Sequence, residues 1–399
     1  MITATLFLSI YTLWLISFAM EGFLLNTNFL FFLLPHSLTL ILLSVALKFN
    51  KDKKITLFTS NISPLLLGII TCIYSFVASK YLLILSGIVS AFLLLKIITI
   101  ISQNSSRPKI IAYGLIAGNI SSVLLFYLPA TNTIKILLLS TLIIMLFFIK
   151  KASNFNLTKD FQSQHVFHYK FLVILPIFYI TSGWFYDIAL PSYFSISIYK
   201  GLEIAFYITA IAIGVKLIER HKENLLASAF MIAIMSIAVF TQGKTATEYI
   251  SIFLSQFSFG LSDLFLLWIA TNIASPFSLL IMGLTTFAIA AGDITSHYLI
   301  LSLLTTKIVT VSILSINFFI IFILKEKNQI SQKDYKYMLS QQEQQVFNLM
   351  LKNISLKEIA SNMDISLSSV KTYASRIYKK FNVKNKKELI KKIKNNTTD

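Results

Sequence analysis

The chain has 399 residues, of which 56% are hydrophobic and only 13% are charged, and its net charge is +18. A soluble domain carries roughly 25% charged residues, so this composition excludes an ordinary soluble fold and indicates that lipid covers part of the surface. The single cysteine, Cys72, excludes a disulfide within one chain and a cysteine-based metal site.

Apolar segments long enough to cross a bilayer recur from the N-terminus to Leu324. About 20 helical residues span the hydrocarbon layer, since each residue rises about 1.5 Å. The first residues lack the basic start and the cleavage site of a secretory signal. We predict twelve spans, over residues 4–20, 29–47, 57–78, 81–101, 110–129, 134–149, 171–190, 198–218, 225–241, 248–270, 276–292 and 297–324.

Positive residues concentrate in every second connection between these spans. Lys and Arg favour the cytosolic side of a membrane protein, so the alternation predicts that both termini lie in the cytosol. The opposite connections carry at most one positive residue each. The residues that set the orientation are Lys48, Lys51, Lys53, Lys54, Arg107, Lys109, Lys150, Lys151, Lys159, Lys170, Lys216, Arg220, Lys222, Lys325 and Lys327.

The longest connection, about 21 residues from Lys150 to Lys170, divides the spans six and six. In count and spacing this layout resembles the major facilitator superfamily of transporters. The resemblance implies a helical bundle of two halves, residues 1–149 and 171–324. Those transporters usually carry a Gly-x-x-x-Asp-x-x-Gly-Arg-type motif after span two, whereas ALKFNKDKKI here has neither Gly nor Arg. The fold is therefore expected, and transport does not follow from it.

Ionisable residues inside spans are costly and mark functional positions. Asp263 and Lys307 are predicted near mid-bilayer depth, where they are able to pair. Four acids near the predicted outer ends of spans either form an acidic vestibule or simply reach the interface: Glu21, Asp187, Glu203 and Asp293. Asp263, Lys307, Glu203 and Asp293 are the candidate sensing residues. The pair His165 and His168 has no cluster of further ligands beside it, so no metal site is predicted.

The composition changes after Leu324. Residues 325–338 are polar and are predicted to be a linker, and the 67 residues from Lys333 carry +8 of the net charge. Residues 339–399 have the apolar periodicity of four short helices. Ser355 and Glu358 form a capping-box pattern at the second of them. Ser366 is predicted to cap the third helix, which runs to about Phe381, and Asp364-Ile365-Ser366 forms the turn before it.

The third helix carries hydroxyl and basic side chains and almost no acid away from its apolar face. Such a surface suits a recognition helix in the major groove of DNA. A basic bundle lying on anionic lipid is the alternative. The predicted contacts with double-stranded DNA are Lys357, Ser368, Ser369, Lys371, Thr372, Tyr373, Ser375, Arg376 and Lys379.

Residues 339–394 resemble the LuxR-type (GerE or FixJ/NarL-like) helix-turn-helix. The segments that carry the resemblance are LSQQEQQVF, SLKEIA, ISLSSVKTY and KFNVKNKKEL. It implies that Lys371, Thr372 and Ser375 face the groove, and that Leu389, Ile390 and Ile393 of the fourth helix meet a second copy. The departures from the family pattern are Gln342 for Arg, Tyr373 for His and Lys387 near the usual Arg.

The two parts together predict a membrane-bound one-component regulator, whose bundle senses a small molecule or the state of the membrane and controls DNA binding. A transporter with a DNA-binding tail, or a passive tether, is the alternative. No nucleotide fingerprint or catalytic grouping is present in the sequence. We therefore predict neither an enzyme nor a cofactor.

Overall fold

The computed structural model describes residues 1–20, 22–25, 27–49, 53–149, 171–197, 201–273, 276–299, 301–336, 339–352 and 354–395. Over these residues the chain forms helices and turns and contains no strand, which confirms the predicted all-α class. Two compact units are present. Most of the chain up to Phe318 forms the first, and the second begins at Phe319.

The N-terminal half of the first unit contains six helices. They are α1 Ile2–Trp14, α2 Leu30–Lys48, α3 Lys53–Tyr74, α4 Lys80–Ser102, α5 Arg107–Tyr127 and α6 Asn132–Phe148. A π-helical turn, Leu15–Ala19, continues α1. Ser79 and Thr131 fix the starts of α4 and α6, because their side-chain oxygens accept hydrogen bonds from backbone N–H groups of the first turn.

The C-terminal half contributes five helices: α7 Phe171–Ile196, α8 Ile204–Val239, α9 Thr245–Ile273, α10 Pro276–Tyr298 and α11 Leu303–Lys336. Among the described residues, eight helices are long and apolar enough to cross a membrane. Four shorter apolar stretches accompany them, namely Thr59–Tyr74, Asn132–Phe148, Ile204–Ile218 and Asn224–Val239. Each predicted span overlaps one of these segments, although the last span begins later than predicted, at Leu303.

Predicted spans eight and nine both fall largely within α8. Its two segments contact neighbouring residues of α9. Ser258 Oγ donates to the Ala229 carbonyl oxygen at 2.7 Å. Two residues further on, a Cβ on Gly260 would lie 2.6 Å from the Tyr207 carbonyl oxygen. In a straight helix, residues 207 and 229 would lie about 33 Å apart. The two segments of α8 therefore lie side by side and are equivalent to two spans.

Helix pairs within each half, and four pairs between the halves, build the bundle. α1 packs on α5, α2 on α4 and α3 on α6, while α7 packs on α10 and α8 on α9. The halves meet where α2 contacts α10, where α5 contacts α8, and where both α4 and α5 contact α9. Gly283 permits the first of these contacts, because a Cβ there would lie 3.0 Å from the Ser37 carbonyl oxygen. Small residues commonly allow such close approach between membrane helices.

The predicted linker 325–338 is helical as far as Lys336, because α11 continues through it. This difference has a simple cause. The segment KEKNQISQKDYK contains neither Pro nor Gly, so no residue in it interrupts a helix.

The second unit contains the four predicted helices, α12 Gln341–Leu351, α13 Leu356–Asn362, α14 Leu367–Lys380 and α15 Lys386–Asn395. The predicted capping box at Ser355 and Glu358 is confirmed, and an equivalent box at Ser340 and Glu343 starts α12. The unit has a core of its own, formed by Leu339, Val346, Phe347, Met350, Ile359, Ala360, Val370, Ala374, Ile377, Phe381 and Leu389.

Candidate functional site

The turn between α13 and α14 fixes the angle at which α14 is presented. Asp364 adopts the left-handed conformation with φ 52°, and the Ile365 N–H donates to the Ala360 carbonyl oxygen at 3.1 Å. This is a Schellman arrangement, which ends α13. Ile365 packs against the core, and Ser366 Oγ accepts from the Ser369 N–H at 3.1 Å. The predicted turn and the predicted cap of α14 are both confirmed.

We expect Asp364→Val to destabilise the C-terminal domain by about 1–2 kcal/mol, because a β-branched residue is strained at positive φ. Asp364→Gly should leave the stability unchanged or raise it slightly. Urea unfolding of residues 325–399 measures both effects. Asn362→Val, two residues earlier and in helical conformation, is the control. An equal loss for Asn362→Val and Asp364→Val would show that the left-handed conformation is not the cause.

One face of α14 is polar and accessible. The opposite face is buried, with Val370, Ala374 and Ile377 at most 2% exposed. The accessible residues recur at spacings of three and four, as residues on one helical face do. They contain three cations and no acid. They are Ser368, Lys371, Thr372, Ser375, Arg376 and Lys379, all exposed; we call them the α14 stripe.

Two residues that depart from the LuxR pattern contact each other. Tyr373 is half-buried against the core, and its hydroxyl donates a hydrogen bond to Gln342 Oε1. This bond joins α12 to α14. The sequence comparison noted both departures singly, and their contact across 31 residues became visible only in the structure.

Some basic residues of the second unit are bound to other groups of the same unit, and others are exposed to solvent. Lys380 Nζ lies 2.6 Å from Glu343 Oε2, and Lys386 Nζ donates to the Ile354 carbonyl oxygen at 2.8 Å. Lys357 on α13 is exposed, as are the three cations of the α14 stripe. Among the described residues, those four cations form no ion pair. They remain available to an anionic partner.

The stability of the C-terminal domain is expected to depend on pH through the Glu343 carboxylate. The pKa of Glu343 lies below its ordinary value of 4.5, because Lys380 donates a hydrogen bond to it and the Ser340 backbone N–H donates another. A lowered pKa adds stability above the unfolded value, and this stability is lost as pH falls through the folded value. We expect the urea midpoint of residues 325–399 to fall between pH 6 and pH 3, and to fall less steeply in Glu343→Gln. Equal slopes for the two proteins would contradict this assignment.

A cavity of about 1020 Å³ lies inside the first unit, lined by residues from both halves. Three carboxylates line it, Asp187, Glu203 and Asp263, together with His36 and His297. Among the described residues, no Lys or Arg lines it. The sequence left open whether the acids at span ends form a vestibule or simply reach the interface, and the structure brings Asp187 and Glu203 into one cavity with Asp263. Glu21 lies outside the described residues.

Asp263 is held by two tyrosines. The Tyr179 hydroxyl donates to Oδ1, and the Tyr207 hydroxyl donates to Oδ2 at 2.8 Å. Lys307 has other partners, since its Nζ donates to the Ala238 and Phe240 carbonyl oxygens at 3.0 and 2.8 Å. The predicted Asp263–Lys307 pair is therefore wrong. Carbonyl oxygens at the end of α8 accept hydrogen bonds from the lysine instead, and the C-terminal end of a helix favours a positive charge.

Glu203 and Asp293 lie in separate surroundings. Glu203 Oε2 accepts from the Tyr193 hydroxyl at 2.8 Å and from the Gly201 N–H at 3.0 Å. Asp293 lies beside Asp187 and His297, and the ligand atoms of these three residues lie within 4.8 Å of one another. They are of types that bind divalent metals. The sequence predicted no metal site; Asp293 and His297 lie about one helical turn apart on α10, whereas Asp187 lies on α7.

A family profile described as "Bacterial regulatory proteins, luxR family" matches residues 337–393. The C-terminal domain is a LuxR-type helix-turn-helix domain. A curated relative, "Probable transcriptional regulator ycf29" of Cyanophora paradoxa, is 36% identical over 70 residues, which cover 17% of this chain. The chain spans about a third (33%) of the length of that relative.

Solved transporter structures share the fold of the membrane unit. The major facilitator superfamily transporter FucP, in an outward conformation, matches 81% of this chain with a TM-score of 0.54 and 11% identity. A variant of the E. coli fucose:proton symporter FucP gives 0.55 with 12% identity, and a variant of the nucleoside transporter NupG gives 0.50 with 15% identity. Each of those chains is covered to 98%. The chain is thus a multi-pass membrane protein with a major-facilitator-like bundle and a LuxR-type domain.

One of the three residues predicted for dimerisation is not available in the LuxR-type domain. Leu389 is 0% exposed and belongs to the core of its own domain, so it is removed from the predicted dimer face. Ile390 is half-buried. The side chain of Ile393 lies outside the described residues.

Proposed function

We propose that the protein is a membrane-bound one-component transcription regulator. The observation that supports this most strongly is the union, in one polypeptide, of a LuxR-type domain and a bundle with an internal cavity. In this proposal residues 1–324 sense a small molecule and residues 339–399 bind DNA. The alternation of positive connections supports cytosolic termini, which places the LuxR-type domain on the same side of the membrane as bacterial DNA.

The α14 stripe is proposed to enter the major groove. Lys371, Thr372 and Ser375 contact base edges, and the remaining predicted contacts hold phosphates. Tyr373 contributes through its bond to Gln342, which fixes the stripe relative to α12. A homodimer on DNA pairs through the fourth helix, with Ile390 and Ile393 as the remaining candidates.

Deletion of residues 1–324 tests the sensing role. Transcription of target genes should lose its dependence on the inducing condition, because a ligand regulates only if it binds two states of the bundle with different affinity. The control is the full chain with Lys352→Ala, an exposed change outside the α14 stripe. Unchanged and still responsive transcription after the deletion would rule out the sensor.

A second candidate is a transporter that also reports through the DNA-binding domain. The likeness to transporter structures and the acids in the cavity favour it. It predicts that vesicles containing the full chain accumulate a labelled solute, and that Asp263→Asn abolishes uptake. A regulator that only senses would bind the solute without accumulating it.

A further inference from the structure

The cavity contains three carboxyl groups and, among the described residues that line it, no Lys or Arg. Asp263 lies on α9 within the membrane unit and accepts hydrogen bonds at both carboxylate oxygens. Two phenol hydroxyls hold this carboxyl group, one at each oxygen, so both of its oxygens are hydrogen-bonded. Among the described residues, Asp263 forms no salt bridge. An isolated charge in such a setting is costly unless a cation accompanies it.

The basic side chains nearby do not supply that cation. His36 Nδ1 is bound to Ser90 Oγ at 2.7 Å and lies 3.3 Å from the Gly87 carbonyl oxygen, so its ring is engaged between α2 and α4. His297 lies 3.7 Å from Asp187 and from Asp293, and pairs with that acidic cluster. Lys307 is held by the end of α8.

Aromatic rings surround the carboxylate. Tyr179 stacks on Phe259 with ring centroids 6.3 Å apart, and Tyr186 meets Phe259 edge-on at 5.4 Å. All three rings line the cavity with Asp263. Aromatic faces attract cations, and a desolvated site strengthens that attraction. These rings therefore provide an apolar surface and also favour the binding of a positively charged group in the cavity.

A buried hydroxyl in the same cavity has no partner. Thr285 lines the cavity, is 0% exposed, and its Oγ1 has no hydrogen-bond partner among the described residues. Buried polar groups are normally satisfied, and an exception calls for an explanation. A bound molecule with a polar group would satisfy this hydroxyl.

We propose that the cavity binds an organic cation with an apolar body, whose positive charge lies against Asp263 and whose body lies among Tyr179, Tyr186 and Phe259. This inference rests on the proposed sensing role and names the chemical class of its ligand. It applies equally to the transporter alternative, because it concerns binding alone.

Calorimetric titration of the full chain in lipid nanodiscs tests the proposal, with empty nanodiscs subtracted. The probes are tetraphenylphosphonium and tetraphenylborate, which have nearly the same shape and opposite charge. We expect the cation to bind and the anion not to bind. Asp263→Asn should weaken cation binding at least about tenfold, equivalent to about 1.4 kcal/mol. Asp263→Glu keeps the charge and should keep the binding.

The matched control is Glu248→Gln. It removes one carboxylate from the same helix, α9, but Glu248 does not line the cavity and accepts instead from the Gly243 N–H at 2.7 Å. Its cation affinity should equal that of the parent. The proposal is overturned if the cation does not bind above empty nanodiscs, or if Asp263→Asn and the parent bind it equally. Binding without any change in transcription would retain the cation site and reject the sensor.

Discussion

Glu343→Ala is expected to destabilise the LuxR-type domain by about 2 kcal/mol. The carboxylate is 3% exposed and satisfies the Ser340 backbone N–H at 2.8 Å as well as Lys380 Nζ. Removing it leaves the start of α12 without half of its capping box and leaves Lys380 without an anion. Lys380 is 40% exposed and is able to turn to solvent, which limits the loss. Urea unfolding of residues 325–399 measures the change.

Glu358→Ala is the matched control for this experiment. Glu358 occupies the same position in the second capping box, where its Oε2 accepts from the Ser355 N–H at 3.0 Å. It is exposed and pairs with no buried cation. We expect a clearly smaller loss than for Glu343→Ala. Equal losses would mean that the two boxes act only through the cap and that the Lys380 contact contributes nothing.

Lys371→Ala is expected to weaken specific DNA binding by about tenfold or more, since a base contact is worth about 1–3 kcal/mol. Lys371 lies in the middle of the α14 stripe and is exposed. Binding to unrelated sequences should change much less. Fluorescence anisotropy with operator and non-operator duplexes at one salt concentration separates the two effects.

Lys357→Ala is expected to act differently from Lys371→Ala. A lost phosphate contact weakens binding to all sequences and lowers the slope of log K against log salt by about one. Lys352→Ala, an exposed lysine at the end of α12, removes the same charge away from the stripe and should alter neither property. If all three variants bound DNA like the parent, the DNA-facing surface would have to lie elsewhere.

Local signals made the LuxR-type domain predictable almost residue by residue. The caps at Ser355 and Ser366, the turn at Asp364 and the inward positions of α14 each depend on neighbours within one turn of helix. The box at Ser340 and Glu343 shows the same spacing and was available from the sequence as well. The membrane spans were predictable for a similar reason, because hydropathy over about 20 residues is also local.

Partners distant in the chain were not predictable. The predicted pairing of Asp263 with Lys307 rested only on their similar depth in the bilayer. The depth of a residue does not show which face of its helix the residue occupies. Asp263 faces Tyr179 and Tyr207, while Lys307 reaches the end of α8. The helical continuation of α11 to Lys336 was missed because polar composition was interpreted as a linker. A polar segment is expected to be exposed to solvent, but its polarity does not show that a helix ends there. Pro and Gly are the residues that interrupt a helix.

The short range of contacts in the LuxR-type domain has a consequence for how the chain matures. Helical domains with local contacts fold in microseconds to milliseconds, whereas translation proceeds at about 5–20 residues per second. The LuxR-type domain therefore folds almost as soon as its last helix leaves the ribosome. The bundle precedes this domain in the chain, so both partners of long-range contacts such as that of Ile41 with Gly283 have already been synthesised by then. The C-terminal domain is therefore the last part of the chain to be synthesised, yet its folding adds little to the time that the chain needs to mature.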